Sequence, residues 1–470
     1  MSPVWPHYFQ PDVVREAFGE KLSSYVLALE AWRRGLDVTI SNARMYRFRI
    51  SDGSGHDVRF VQSRPHLTSR SAHLTAKNKH KANHLMEAAG VPVPKSVLID
   101  PQNVKTTRLI DYAIRIGFPV VLKPRNGAMG EGVFANIEDS EVLARRYEEL
   151  TQRFPAEPLL LERHCPGDDY RVLVFGGHFI AACKRVPANV TGDGRSSVRT
   201  LIALKNRERR ANPFLSKGLI KTDQEVSDYL ARHGYNYSSV PRKGEYLRLR
   251  SAANASAGGD VVDVTEELPE SIQESAVRAL AAVPGLHCAG VDVLFKGSQK
   301  TPDDEHVVLE LNSQPQLGVN MYPTHGAGVD VARKIIDICF PNSPRSGNDG
   351  DARLGLHLRP VLAPLASGHA REVTLPAVSS GRFPVRRLYT SARSITVSSN
   401  QRARILRASE RHSVSGFIRH RGDSLEVLAS GTREAVESFA LTVTSVIGSD
   451  LKDPQPWNGL LFAGFKVGPN

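Results

Sequence analysis

The stretch "HVVLELNSQPQ", residues 306–316, sets a carboxylate and a carboxamide inside what otherwise reads as a buried strand. Strand side chains alternate between faces, so Val307, Leu309 and Leu311 are expected on one side and Val308, Glu310 and Asn312 on the other. A buried carboxylate needs a cation or hydrogen-bond donors to offset its lost hydration, so the face bearing Glu310 and Asn312 calls for positive charge above it. Upstream, "HCAGVDVLFK" is a second apolar run with one acid, Asp292, followed by the turn-rich "GSQKTPDDE". The two runs read as an antiparallel hairpin centred near Lys300 and Thr301, which puts Asp292 across from Glu310 or one position off. Three oxygen donors with no His or Cys among them suit a hard cation, Mg²⁺ or Mn²⁺, that shares phosphate oxygens with a nucleotide. Two satisfied polar residues at strand ends would give the same local pattern.

The 470 residues leave room for about two to four domains with full cores. With 41% hydrophobic and 23% charged residues, the composition is that of a globular protein and excludes a disordered or fibrous chain. No apolar run reaches spanning length, and "MSPVWPHYFQPDVVREAFGEK" lacks the basic-then-apolar order of a signal peptide, so a cytoplasmic protein with no membrane partner is expected. Cys165, Cys183, Cys288 and Cys339 form no CxxC pair, which argues for reduced thiols and against zinc or a disulfide framework. The net charge of +12 is concentrated: Arg353 to Arg421 holds thirteen Arg, no Lys and two acids, Glu372 and Glu410, a local +11. The remainder is nearly balanced, so nucleic acid is not the expected partner and the basic surface belongs to the C-terminal part.

Up to about Leu74 a helical pattern, "SSYVLALEAWRRG", accompanies strands "DVTIS" and "YRFRIS", as in a small α/β domain. "KNKHKANHLMEAAGVPVPK" reads as a basic helix closed by Gly90 and Pro92. "YAIRIGFPVVLKPRNGAMGEGVF" gives helix, buried strand, glycine-rich turn and strand, and "PLLLERHCPGDDYRVLVFGGHFIAACKRVPA" gives strand, connector and a hairpin turning at Gly176 and Gly177. "PNSPRSGNDGD" has linker composition. The expected division is an N-terminal α/β domain 1–75, a central domain 76–343, a linker 344–372 and a last domain 373–470.

The glycine-rich turn 126–132 follows a strand ending near Lys123 and precedes another strand. A glycine loop between strands can fold over a triphosphate and donate backbone N–H groups, with the lysine supplying charge, although a plain hairpin has the same local look. The missing GK[ST] ending and following helix exclude a Walker loop and a dinucleotide fingerprint. Segment order is more specific: "PVVLKPRNGAMGEGV", "LLLERHCPGDDYRVLV", "RVPANVTGDGRSS", "LRSAANASAGGDVVDVT", "AGVDVLF", "LELNSQPQLG". This order resembles the ATP-grasp carboxylate-amine ligases, in the branch with cyanophycin synthetase, bifunctional glutathione synthetase and D-alanine-D-alanine ligase, over about Lys77 to Phe340. The resemblance implies an ATP-grasp fold with a pre-ATP-grasp N-terminal α/β domain, ATP and Mg²⁺ as cofactors, and small amino-acid or peptide substrates. The implied reaction is ADP-forming synthesis of an amide, peptide or γ-glutamyl, through an acyl phosphate. Carried over by residue, it places Lys123 on ATP phosphate, Gly127, Gly130 and Gly132 in the phosphate lid, Glu162 on the adenine amino group and Asp169 on the ribose hydroxyls. Asp292, Glu310 and Asn312 fall on the metal ligands, and Arg185 and Arg250 near the γ-phosphate and acyl phosphate. Lys79 matches the first lysine of the family's "DKxxxK" helix, but Asn83 stands at the second, with Lys81 the nearest substitute. His325 in "PTHGAG" is a further residue that could face substrate.

From about Arg382 the pattern is strand, helix, strand, strand, helix, and "SGFIRHRGDSLEVLASGTREAVESF" resembles the corresponding half of acylphosphatase. That resemblance implies a ferredoxin-like βαββαβ domain, hence an α/β and α+β multidomain chain. The acylphosphatase "GVGFR" loop is missing between Val397 and Ala403, and His420 stands where the catalytic asparagine would be. The module is therefore expected to dimerise the chain, gate substrate or bind an anion, and a homodimer is expected. The competing reading is an ATP-binding regulator or polyanion-binding protein without ligase turnover; the intact Asp292, Glu310 and Asn312 set favours the enzyme.

Overall fold

The structure is a computed structural model that describes residues 3–125, 132–155, 157–296, 306–345, 352–375 and 383–468. It divides into two compact units, one of Met1–Pro6 with Phe60–Ile335 and one of His7–Arg59 with Ile336–Asn470.

Two sheets organise the first unit. Strands Ser96–Ile99, Leu159–Arg163, Val120–Pro124 and Phe134–Ile137 lie in that order, all antiparallel, with helices Thr106–Ile116 and Ser140–Arg153 closing their core through Leu109, Ala113, Leu143 and Leu150. The second sheet runs Asp260–Asp263, His178–Val186, Asp168–Phe175, Cys288–Phe295, His306–Asn312, again antiparallel throughout. Its hairpin turns on Gly176 and Gly177, both with positive φ (58° and 81°), the conformation a two-residue turn needs to match strand twist. One face carries Val172, Val174, Ala182, Val291 and Val293 into a core shared with Ala72, Ala76, Ala82, Met86, Ile272 and Ala276 from helices Arg70–Lys77, Lys79–Ala88 and Glu270–Ala281. The opposite face is mixed, with Leu173, Phe175 and Val261 buried beside the charged residues Asp169, Arg171, Arg185 and Asp292.

The expected hairpin register is present, since Asp292 pairs directly with Glu310; its turn, 297–305, lies outside the described residues. The expected alternation along 307–312 does not hold. Register slips between Asp292/Glu310 and Val293/Val308, so Leu309 is the extra residue of a bulge. Val308 and Leu311 both enter the core while Val307 and Leu309 are half-buried, because one inserted residue reverses the facing of everything before it.

In the second unit, helix Leu22–Arg33 is buried along its whole length, which demands partners on every side. The expected 1–75 segment is accordingly not a unit of its own: strand Asp37–Ile40 pairs with Arg47–Ser51 and with Val373–Leu375, and the Tyr25 hydroxyl donates to the Val13 and Leu356 carbonyls. The expected linker 344–372 contains helix Leu358–Ala366 and buries Leu354, Leu356 and Leu362. Only its Pro/Gly/Ser-rich start has linker composition; "LGLHLRPVLAPLA" supplies enough apolar side chains to be held. The C-terminal sheet has the order Gln455–Pro456, Val385–Thr390, Ser424–Gly431, Ser415–Arg421, Phe465–Val467. Helices Ser399–Arg411 and Arg433–Ile447 share its core through Ile405, Ala408, Phe439 and Val443 against Ile418, Leu425 and Val427.

Candidate active site

In the four-stranded sheet Val121 faces Glu162 and Lys123 faces Leu160, which sets Lys123 and Glu162 diagonally on one surface. Lys123 is 8% exposed and Glu162 2%, with Nζ 2.5 Å from Oε2. The other Glu162 oxygen, Oε1, is buried without a hydrogen-bond partner, so this carboxylate has unused acceptor capacity.

The polar face of the five-stranded sheet is a row of charges set by register. Asp292 lies opposite Glu310 on one side and Arg171 on the other, Arg171 lies opposite Cys183, and Cys183 opposite Asp263. Two residues along, Asp169 lies opposite Arg185. Adjacent strands are about 4.8 Å apart, so these groups meet. Arg171 donates to Asp292 Oδ2 at 3.0 Å and ion-pairs with its Oδ1; Arg185 donates to Asp292 Oδ2 at 3.0 Å and to Asp169 Oδ1 at 2.8 and 2.5 Å. From the start of helix Lys79–Ala88, placed by the Asn78 side-chain cap, Lys79 Nζ reaches Glu310 Oε2 at 3.1 Å. Burial opposes ionisation of Asp292, yet Arg171 and Arg185 outweigh it and hold the carboxyl below its usual range. Burial also dominates at Asp169, which one shared guanidinium does not offset, and its pKa is pushed up to about 6. Cys183, fully buried within this row, is pushed up to about 12 by desolvation and is not a nucleophile.

Two carboxylates and the exposed Asn312 carboxamide, with no His or Cys, form a set of hard oxygen donors. Each carboxylate is now matched by side-chain cations, so a divalent ion arriving with phosphate can take the carboxylates while the phosphate takes the cations. Asp292, Glu310 and Asn312 fit Mg²⁺ in that sense. Among the described residues no group of three or more His, Cys, Asp or Glu is arranged to hold a metal unaided. A cation held here would need further oxygen ligands from water or a bound substrate.

Residues 76–201 match the model of the RimK-like ATP-grasp domain. The chain carries an ATP-grasp domain of the RimK-like type. Cyanophycin synthetase of Trichormus variabilis is 32% identical over 327 residues, covering 68% of this chain and 35% of that protein. The glutathione biosynthesis bifunctional protein of Clostridium perfringens is 29% identical over 332 residues, covering 68% and 41%. Among solved structures, the bifunctional glutathione synthetase from Pasteurella multocida is similar with a TM-score of 0.54 and 26% identity, over 68% of this chain and 43% of that one. The chain thus spans about a third to two-fifths of the length of these curated relatives.

The first unit brings together Lys79, Asp169, Arg185, Asp292 and Glu310, and separately Lys123 and Glu162. It does not bring Arg250 to Asp292: that guanidinium is engaged by Asp223 and Glu225, at the start of helix Gln224–Arg232, which Asp223 also caps. Gly127 and Gly130 lie outside the described residues. Gly132 has φ +69°, and a Cβ there would stand 3.0 Å from Phe154 and 3.1 Å from Pro124, so this end of the turn requires glycine. Lys81 does not replace the missing second lysine. Two residues from Lys79 is about 200° around a helix, and Lys81 is exposed, whereas Asn83 is buried with neither amide atom hydrogen-bonded. His325 extends the sheet through its backbone, accepting from Asp263 N at 2.9 Å, and its side chain is exposed. Arg171 was not among the sequence candidates. Its signal was period two from Asp169, which fixes both on one face. No helix of the described residues is long and apolar enough to cross a membrane.

Proposed function

We propose that this chain is an ADP-forming carboxylate-amine ligase that joins amino acids or peptides through an acyl phosphate. The observation that carries the reading is the compensated strip of Lys79, Arg171 and Arg185 against Asp169, Asp292 and Glu310, with Lys123 and Glu162 in the neighbouring sheet. Such a strip is neutral alone and can exchange its partners for a metal-bound triphosphate without leaving a buried charge unmatched. In this reading Lys123 and Lys79 bind phosphate, Glu162 Oε1 accepts from the adenine amino group, and Asp169, released from Arg185, takes the ribose hydroxyls. Arg185 and Arg171 turn to the transferring phosphoryl group and later to the oxyanion of the tetrahedral intermediate, where fixed charge is most effective. Asp292, Glu310 and Asn312 would hold Mg²⁺, which supplies charge neutralisation across the phosphates when bound. Arg250 joins the site only if its pairing with Asp223 and Glu225 opens. The glycine turn 126–132 is assigned the lid that keeps water from the acyl phosphate. The similarity to cyanophycin synthetase and to the bifunctional glutathione proteins supports an amide product, peptide or γ-glutamyl. The order of the C-terminal sheet supports a ferredoxin-like module there, and a homodimer through that module is our expectation, to be read by sedimentation. The polyanion-binding alternative loses support because several arginines of the basic stretch are paired internally, Arg353 with Asp12 and both Arg419 and Arg421 with Glu426.

The test is a screen of amino-acid and peptide pairs with ATP and Mg²⁺, following ADP release and product mass. ADP formation that requires both a carboxylate and an amine supports the ligase. Nucleotide binding with no ADP from any pair overturns it in favour of a regulator.

A further inference from the structure

The second unit contains a cavity of about 430 Å³ that the ligase reading does not use. It lies against strand Ser415–Arg421 and strand Phe465–Val467 on the side of the sheet away from the two helices. Ile418, Leu425 and Val427 point to the helices, whereas Phe417, Arg419 and Lys466, one residue out of phase, point into the cavity. Trp457, Phe462 and His357 line it as well.

Its lining is specific in two respects. The walls are aromatic and held in place: the rings of Phe417 and Trp457 meet edge-on at 6.0 Å, and His357 stacks on Phe462 at 3.9 Å. His357 is fixed further by Glu16, whose Oε1 lies 2.7 Å from Nδ1. The charge is one-sided, since Arg419 and Lys466 both line the cavity and no Asp or Glu does. Arg419 lies over the Phe417 ring at 4.5 Å and shares Glu426 with Arg421, so two guanidiniums answer one carboxylate. No ion pair holds Lys466 among the described residues. The volume falls within the usual range of small-ligand sites, roughly 300–1,000 Å³.

We infer that this cavity is a binding site for a small planar aromatic acid, its ring held among Phe417, Trp457 and Phe462 and its carboxylate met by Lys466 and Arg419. Flat aromatic walls favour offset or edge-on stacking of a ring, and an edge where Lys466 adds to two arginines sharing one carboxylate favours an anion over its neutral isostere. The site uses none of the residues assigned to nucleotide, so it holds whether or not the chain proves to be a ligase.

The experiment uses the full chain and two probes of the same shape, 2-naphthoate and its neutral analogue 2-naphthamide, titrated with the probe's own fluorescence as readout. Naphthoate should bind about fivefold tighter than naphthamide to the wild type. Lys466→Gln, an exposed substitution that leaves the aromatic walls in place, should erase that preference while leaving naphthamide affinity unchanged. Phe417→Leu should weaken both probes together. Equal affinity for the two probes in the wild type, an undiminished preference in Lys466→Gln, or no binding of either probe would each overturn the assignment.

Discussion

A carboxylate held by two arginines occurs twice in this molecule, at Asp292 with Arg171 and Arg185, and at Glu426 with Arg419 and Arg421. Both carboxylates are 6% exposed as side chains, and in both burial resists ionisation while the arginines win and keep the group charged. The arginines differ. Around Asp292 they are 14% and 17% exposed, around Glu426 47% and 73%. Water solvates the second pair, so Glu426 is a modest tie on a sheet. Nothing but protein or ligand can match the first pair, so removing its carboxylate strands two desolvated cations. A carboxylate with two arginines is therefore a solvated tie in one place and a desolvated charge cluster in the other, the one we propose exchanges its partners for ligand, and solvent access to the cations makes the difference.

That contrast gives an ordered set of expectations. Asp292→Asn should lower the unfolding free energy by about 3 kcal/mol and abolish Mg²⁺-dependent ADP formation, because it leaves Arg171 and Arg185 with only Asp169 between them. Denaturant melts and ADP release measure the two effects, and a cost below about 1 kcal/mol would erase the distinction from Glu426. Lys123→Ala leaves Glu162 buried with neither oxygen paired, so a comparable loss of stability, roughly 2–3 kcal/mol, should accompany loss of nucleotide binding by calorimetry. Unchanged nucleotide affinity would reduce the glycine turn to a plain hairpin.

Glu310→Gln separates fold from chemistry. Its partner Lys79 and the carboxylate itself are partly solvated, so stability should change by no more than about 1 kcal/mol while Mg²⁺-dependent ADP formation is lost. Wild type should be protected thermally by ATP with Mg²⁺ and this variant much less; equal protection would remove Glu310 from the metal set. Glu426→Gln should have the smallest effect, about 0.5–1 kcal/mol at pH 7 after allowance for screening. The folded-state pKa of Glu426 lies below its ordinary 4.5, so its contribution is complete above that value and is lost as pH falls through the lowered one. The difference between variant and wild type should therefore shrink in acid and in high salt, and a difference that grows in acid would contradict the pairing.

Sequence by itself placed these residues on their strands and turns because that placement is local. The Asp292–Glu310 hairpin register followed from the symmetry of two apolar runs about a turn, and the Lys123 strand, the Gly176–Gly177 hairpin and the helix ending at Arg33 followed from period and turn residues. Tertiary structure decided what depends on partners remote in the chain. The bulge at Leu309 is invisible in one strand, because two strands must be laid side by side before an extra residue can be counted. Residues 7–59 join the C-terminal part because a helix buried on every side takes its partners from wherever apolar surface remains, and sequence order does not constrain that. Arg171 and Arg250 were equally plausible as arginines; the sheet put the first against Asp292 and a helix start took the second. Spacing along the chain fixes which face a side chain uses, whereas the charge it meets there is set by strand neighbours a hundred residues away.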